Sequence, residues 1–361
     1  MHLLRALLVF TAAIAAAQVR DTLPVPDIPG YKTLKCDFHM HTVFSDGDVW
    51  PTVRVSEAFR DGFDAIAITD HADYRPHKED LRPDAARPNE IARRTGDASG
   101  IIVVPGIEIS RDLTHLNALF VTDPAALAGV PLPEALRRAV QQKAFVFWNH
   151  PGWRKPKAEW TQEIDSYFEE KLFQGMELLN GGNFYPDAYP WVEQKKLTIF
   201  ANSDVHGLSP TGRARPVTLV FARSRDLEGI REALVARRTA AWMNGQVWGA
   251  AGQLAPLWSG AVQVERGDMR IQSGSRLCGF WLRNTSALPF EFRLRKKPEW
   301  ITGGGNGSIR PEGTAGVSLN LAKDAPVGRN RVELEFELTN FHTGPGGNLA
   351  VNVPVTITVE P

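Results

Sequence analysis

Cysteine is nearly absent: Cys36 and Cys278 are the two in 361 residues, and neither has a second thiol nearby in the chain. That excludes a disulfide framework and a closely spaced thiolate zinc site. Cys36 alternates with Phe38 and Met40, so it reads as a buried thiol on one face of a strand. Excess charge is also absent, with 41 basic residues against 41 acidic ones. Bulk attraction to nucleic acid is therefore excluded, and no nucleic-acid partner is expected. No apolar run reaches the ~20 residues of a membrane span. The longest early run, residues 6–17, follows Arg5 and ends Ala15-Ala16-Ala17-Gln18. A basic start, a short apolar stretch and an A-x-A end describe a secretory signal over residues 1–17, so a periplasmic or secreted location is expected. Internal repeats are missing as well.

What the chain does have is patterned histidine. There are nine, and His39, His41, His71, His115, His150 and His206 sit at the ends of apolar runs, most with a carboxylate close by. Histidines scattered by composition would not recur where strands stop. A ring of imidazoles and carboxylates at strand ends is how an α/β fold builds a multi-metal hydrolytic centre.

The length suits two domains. Across 31–248, β-rich runs (34–39, 64–69, 101–109, 116–121, 144–149, 175–180, 197–203 and 217–222) alternate with helical runs (52–61, 133–143, 161–173, 188–195 and 226–237). Such alternation predicts a mostly parallel α/β sheet, open or closed into a barrel. The polar segment 73–100 is too long for a simple connection and reads as an active-site loop with some helix. Composition shifts near 249–260. From 262 to 361 a period of two dominates, as in Val332, Leu334, Phe336 and Leu338 set between glutamates. That predicts a small Ig-like β-sandwich with no ligand cluster, its one histidine, His342, in a Gly-rich loop. Pro354 points to a last strand at a sheet edge.

His39 and His41, one residue apart on a strand, share a face about 7 Å apart and can enclose one ion together. Asp46, in a Ser-Asp-Gly turn, can fold back over them. His71 directly follows Ile66-Ala67-Ile68-Thr69-Asp70, and Asp70 is placed to orient a neighbour or to cap the next segment. Glu108 lies inside an apolar strand, where a charge is costly unless paired or bound to metal, and its two oxygens can bridge ions. His115 opens the next strand. His150 ends another, before the sharp Pro151-Gly152 turn. Asp204 and His206 repeat the one-apart spacing. Glu177 and Asn180 end the sixth strand facing the same mouth, as candidates to orient ligands or bind substrate. Arg154, Arg213 and Arg215 follow the ligand motifs and are candidates for phosphate oxygens. Trp153 can pack or stack on an aromatic leaving group.

In this order, Asp37-Phe38-His39-Met40-His41-Thr42 with Ser45-Asp46-Gly47, Thr69-Asp70-His71, Pro105-Gly106-Ile107-Glu108-Ile109, Asn149-His150-Pro151 and Ser203-Asp204-Val205-His206 resemble the polymerase-and-histidinol-phosphatase (PHP) family of metal-dependent phosphoesterases. The resemblance covers residues 35–221, and among PHP proteins a secreted phosphodiesterase-like branch is the nearest in architecture. It implies a distorted seven-stranded β/α barrel and two or three ions. His39, His41, Glu108 and Asp204 would hold one, Glu108, His115 and His150 another, and Asp46, His71 and His206 a third. The nitrogen and oxygen donors suit Zn, Mn or Fe. Two ions sharing Glu108 would sit roughly 3.5–4 Å apart around a hydroxide able to attack phosphorus. No catalytic residue beyond the metal centre is assigned. Hydrolysis of small phosphate esters is the expected activity. The rivals are a metal-dependent amidohydrolase and a non-catalytic protein that grips envelope polymer.

Overall fold

In the computed structural model, which describes residues 19–209 and 215–361, short and wholly buried apolar runs build the first half. Residues 1–17 and Arg213 lie outside the described residues. Strands β1 (Lys32–Asp37), β2 (Ala65–Ile68), β3 (Ile102–Arg111), β4 (Thr114–Leu119), β5 (Phe145–Trp148) and β6 (Gly175–Asn180) pair in chain order. A two-residue strand, β7 (Asn183–Phe184), folds back on β6, which pairs on its other side with β8 (Thr198–Asn202). Helices α1 (Pro51–Arg60), α2 (Arg87–Ser99), α3 (Leu132–Gln141), α4 (Gln162–Glu169) and α5 (Tyr189–Gln194) alternate with the strands. All four residues of β2 and of β5 are buried, as in strands covered on both faces. The polar segment before β3 carries α2, which ends at left-handed Gly100.

The ring is irregular in two places. Strand β4 runs antiparallel to both β3 and β5. Between β8 and β1 there is no long ladder. Closure there rests on a parallel bridge between Met40 and Val205, with His41 N donating to Val205 O (3.0 Å) and Asp204 N to His39 O (2.9 Å). Lower down, side chains replace the ladder, Phe38 N donating to Asn202 Oδ1 at 2.9 Å. The result is the distorted barrel of seven strands, β1–β6 and β8, that the sequence predicts. Phe38, Phe147 and Phe200 fill its interior, with Phe147 stacked on Phe200 at 4.2 Å. Beyond β1 the sheet continues through β9 (Val217–Ala222), β10 (Thr239–Met243) and β11 (Gln246–Gly249), with α6 (Leu227–Val235) between β9 and β10.

The compositional shift near 249–260 is occupied by a helix, α7 (Ala251–Ala261), which buries Leu254, Leu257, Trp258 and Ala261 along one face. After it come β12 (Val262–Glu265), β13 (Asp268–Gln272), β14 (Leu277–Asn284), β15 (Phe290–Lys296), β16 (Ile301–Gly304), β17 (Gly307–Ile309), β18 (Thr314–Leu321), β19 (Gly328–Gly344) and β20 (Gly347–Glu360). They form two sheets, β12-β14-β18-β16 and β13-β20-β19-β15-β17. Alternation turns Phe280, Leu282, Leu334, Phe336 and Ile357 inward between them. Cys36 and Cys278 are both buried and unpaired, and burial pushes the Cys36 thiol well up.

Two expectations for this half are corrected. The last strand is not an edge: β20 lies between β19 and β13. Pro354 stands just before Thr356, where the ladder to β13 begins, so its missing N–H costs no bond to that neighbour. His342 is not in a loop either. It lies in β19, stacked on Trp248 with centroids 5.0 Å apart and with Nε2 2.8 Å from Gln246 Oε1. Here β11 and β19 pair in parallel (Val247 with Phe341, Trp248 with His342), so the barrel sheet passes without a break into the sandwich.

Candidate metal centre

The candidate ligands gather at one mouth of the barrel, most of them where a strand ends and Asp46 in the turn between β1 and α1. His39 and His41 extend β1, His71 follows β2, His150 follows β5, and Asp204 and His206 follow β8. Glu108 is within β3, bridged to His71 in the backbone. His115 stands near the beginning of a strand, which in an all-parallel barrel would put it at the opposite end. Because β4 is reversed, it comes to the same mouth, two residue pairs from Glu108 in the β3–β4 ladder, opposite Ser110. Thus the structure brings all nine together: His39, His41, Asp46, His71, Glu108, His115, His150, Asp204 and His206. The backbone is bent to do it. His150 and Asp204 have φ of 27° and 52°, a region non-glycine residues seldom occupy and one that accumulates at functional sites.

The donor atoms converge on Glu108. Its Oε2 is 3.5 Å from His39 Nε2, 3.3 Å from His41 Nε2 and 3.1 Å from His71 Nδ1. Its Oε1 is 3.0 Å from His115 Nδ1 and 3.7 Å from His150 Nε2. Asp204 Oδ1 lies 3.1 Å from both His39 Nε2 and His41 Nε2, so these two imidazoles, Asp204 and Glu108 face one point. Towards solvent, Asp46 Oδ1 is 3.4 Å from His206 Nε2 and from His41 Nδ1, and Asp46 Oδ2 is 3.5 Å from His71 Nε2. His41 thereby joins Asp46, His71 and His206, and His71 also groups with Glu108 and His115, associations that chain order does not reveal.

The residues fit divalent cations. Glu108 Oε2 and Asp46 Oδ1 are buried and accept no hydrogen bond, a costly state for carboxylate oxygens that a bound cation would relieve. Burial alone would raise the carboxylates, yet His206 and His71 hold Asp46, His71 and His39 hold Glu108, and His39 and His41 hold Asp204 well below the usual carboxylate range. Burial works to lower His39, but Asp204, Glu177 and Glu108 keep it well above its ordinary value. Against the same burial, Glu108 and Asp46 push His71 up to about 9. Such concentrated negative charge draws protons when no cation is present, so an entering cation must displace them.

A layer of buried polar groups aims the donors. Glu177 accepts from His39 Nδ1 (2.8 Å), Asn202 Nδ2 (3.0 Å), His150 N (2.8 Å) and Asn180 Nδ2 (2.8 Å), which turns His39 Nε2 towards the mouth. Asn180, a candidate for substrate, is committed to this bond beneath the site. Asn149, which the motif beside His150 contains without a role of its own, donates to Glu108 Oε1 at 2.8 Å. Ser110 Oγ is 2.9 Å from His71 Nδ1. Asp70 turns away from the donors and accepts from Thr42 N, Thr42 Oγ1 and Ser45 Oγ at 2.6–2.7 Å, locking the loop that carries Asp46. Arg215 is buried below the site, paired to Asp37 (2.8 Å) and Asp61 (3.3 Å), and it does not line the mouth.

Above the donors opens a cavity of about 430 Å³ whose walls include Tyr74, Ser110, Asp112, Trp153 and Arg154. Arg154 is the one arginine or lysine among the described residues lining it. Its guanidinium carbon lies 4.3 Å from the centre of the Trp153 ring, and Trp153 in turn packs on His115 and His150 at 4.9 and 5.4 Å.

No family model matches the chain. A two-domain protein of Bacteroides vulgatus, described as containing a predicted PHP-like metal-dependent phosphoesterase, superposes with a TM-score of 0.87 at 36% identity, over 94% of this chain and 100% of that one. An uncharacterised protein of Methanocaldococcus jannaschii is 32% identical over 165 residues, 41% of this chain and 72% of its own length. A lesion-specific endonuclease of Pyrococcus furiosus aligns at 13% identity and a TM-score of 0.41, over 61% of this chain and 59% of that one.

Proposed function

This chain belongs to the PHP-like family of metal-dependent phosphoesterases and is a metal-dependent hydrolase, and from that premise we propose that it hydrolyses small phosphate esters, diesters included, outside the cytoplasm. His39, His41, Glu108 and Asp204 would hold one ion. Glu108, His115 and His150, with His71 beside them, would hold a second. Asp46, His71, His206 and His41 would hold a third. Divalent ions bound there supply Lewis-acid charge and lower the pKa of water at the site toward ~7. Two or three ions of Zn, Mn or Fe suit this nitrogen and oxygen donor set.

The chain's own residues do the rest. Arg154, at the cavity wall, can take two phosphoryl oxygens in its planar fork and hold them over the donors. Trp153 screens one side of the donors from water and steadies the guanidinium. Glu177 keeps His39 in a single orientation throughout. Asp112, opposite in sign to Arg154, disfavours a second anionic group near the β3–β4 turn. A net charge of zero and a single lining cation support small esters over a nucleic-acid strand, which needs a basic track.

The observation that carries the reading is Glu108: fully buried, with its two oxygens facing different histidines and one of them without a hydrogen bond. The test is a panel on the metal-loaded protein of p-nitrophenyl phosphate, bis(p-nitrophenyl) phosphate, aryl amides and abasic duplex DNA. Ester turnover that chelation abolishes and Mn or Zn restores is expected. Turnover of the amides or the DNA with the esters untouched would overturn it. Export is checked by fractionating cells that express the full chain.

A further inference from the structure

Helix α1 bears no candidate ligand, yet it contains a fully buried arginine. Arg54 shows no exposed surface, and each of its five N–H groups has an acceptor. Nε donates to His41 O (2.8 Å). One terminal nitrogen donates to Glu57 Oε2 (2.8 Å) and Gly207 O (2.7 Å), the other to Val205 O (3.1 Å) and His206 O (2.6 Å). Glu57 finishes the connection by accepting from Ser209 N at 2.6 Å with its other oxygen. The two chain stretches tied in this way, one ending β1 and one following β8, are far apart in the sequence and carry His39, His41, Asp204 and His206. They meet where the barrel has no long ladder, and Asp204 holds a left-handed backbone there.

We propose that Arg54 is a positioning residue that sets the separation of the His41 and His206 segments and so assembles the solvent-side cation subsite of His41, Asp46, His71 and His206. The inference rests on the reading of the site as a metal centre. Its warrant is geometric. Arg54 is already neutralised by Glu57, so its charge is not available to the site. What it supplies is a rigid fork that reaches four carbonyls at fixed angles, adding to the few backbone bonds across the seam, His41 N to Val205 O and Asp48 N to His206 O, where an ordinary strand pair would have a full ladder. The deeper subsite shares His41 and Asp204 with the tied stretches but has anchors of its own, Glu177 on His39 and Asn149 on Glu108, so losing the fork disturbs the outer subsite first. A lysine keeps the charge but presents three donors from a single point and cannot span the same carbonyls.

The experiment is equilibrium dialysis of the full chain against Mn(II) and Zn(II), with metal counted per protein, on the wild type, R54K and L334A. Leu334 is buried in the sandwich, away from the site, and its truncation is the control for lost stability. In R54K the weakest-bound ion is expected to lose about 10–100-fold in affinity while the tighter ions keep theirs, as when a group behind a metal ligand is changed. L334A, at a comparable fall in melting temperature, is expected to keep the wild-type isotherm. A wild-type isotherm for R54K would overturn the proposal, and so would an equal loss in L334A. Should R54K not fold, the R54M/E57M pair, which removes both charges together, is read by the same two outcomes. A wild type that binds no ion would overturn the metal-centre reading and this inference together, and is distinguished by appearing before any substitution is made.

Discussion

Two arginines and one glutamate near the donors occupy different situations, and they separate on simple tests. Arg154 is exposed at the cavity wall, so R154A is expected to lower kcat/KM for phosphate esters roughly 10–100-fold, the worth of one charge-assisted hydrogen bond, with little change in melting temperature. Arg215 is buried on Asp37, so R215A leaves a buried carboxylate unpaired and is expected to cost about 3–5 kcal/mol in urea unfolding. Glu177 has no cavity role, but E177Q weakens the acceptor on His39 Nδ1 and is expected to reduce metal affinity about 10–100-fold in a competition titration against a chelator. The nine donors were legible in the sequence because most combine a ligating side chain with a strand end, while Asp46 sits in a turn signal beside such an end and Glu108 is a charge inside an apolar strand. Arg54 and Asn149 were not, because their partners are backbone carbonyls, the buried carboxylates of Glu57 and Glu108 and the Asn117 amide, distant in sequence or without a ligand signature, which leave no pattern in the chain. Arg215 and Asn180 were misplaced for a related reason: position after a motif says that a side chain is near the site, not which side of the donors it occupies.

Among the elements, the turn from Thr42 to Gly47 and the long strand β19 make their own demands. Gly47 lies against the chain it follows. A Cβ there would come within 2.5 Å of the His41 carbonyl carbon and 2.6 Å of Thr42 N, so G47A must open the turn and shift Asp46. Loss of one ion per chain is expected by metal analysis, with the others retained. On β19, Glu337 is held down at about 2 by hydrogen bonds from Arg293 and Asn348 and then from Arg295, against an ordinary 4.5. A depressed carboxylate stabilises the fold in full above the ordinary value, and that contribution fades as pH falls through the lowered one. The stability difference between wild type and E337Q is therefore expected to be greatest near neutral pH and to vanish from about pH 4.5 down to 2, by urea unfolding of both at each pH. The arginines are half exposed, so the effect is modest. Most strands could be read from apolar runs and period-two alternation. Strands β10 and β11 and helix α7 could not: their residues are mixed in character and take their form from β9 and β19 on either side.

For the molecule as a whole, the ladder from β11 to β19 makes one sheet of what composition divides in two. Barrel and sandwich are then expected to unfold together, as a single calorimetric transition whose van't Hoff and calorimetric enthalpies agree. Two resolved transitions would show that the shared ladder does not couple them. A chain cut after residue 261 would bare the β11 edge and the Trp248 ring, and is expected to aggregate. The reversal of β4 carries a different consequence. It places a two-residue turn, Asp112 and Leu113, on the rim of the cavity, where other connections around the ring lead into helices. A hairpin tip of that kind tolerates lengthening without shifting either strand's register. The wall beside His115 can thus be redrawn by insertion alone, which makes that tip the natural place to graft selectivity for bulkier or smaller leaving groups while the nine donors stay as they are.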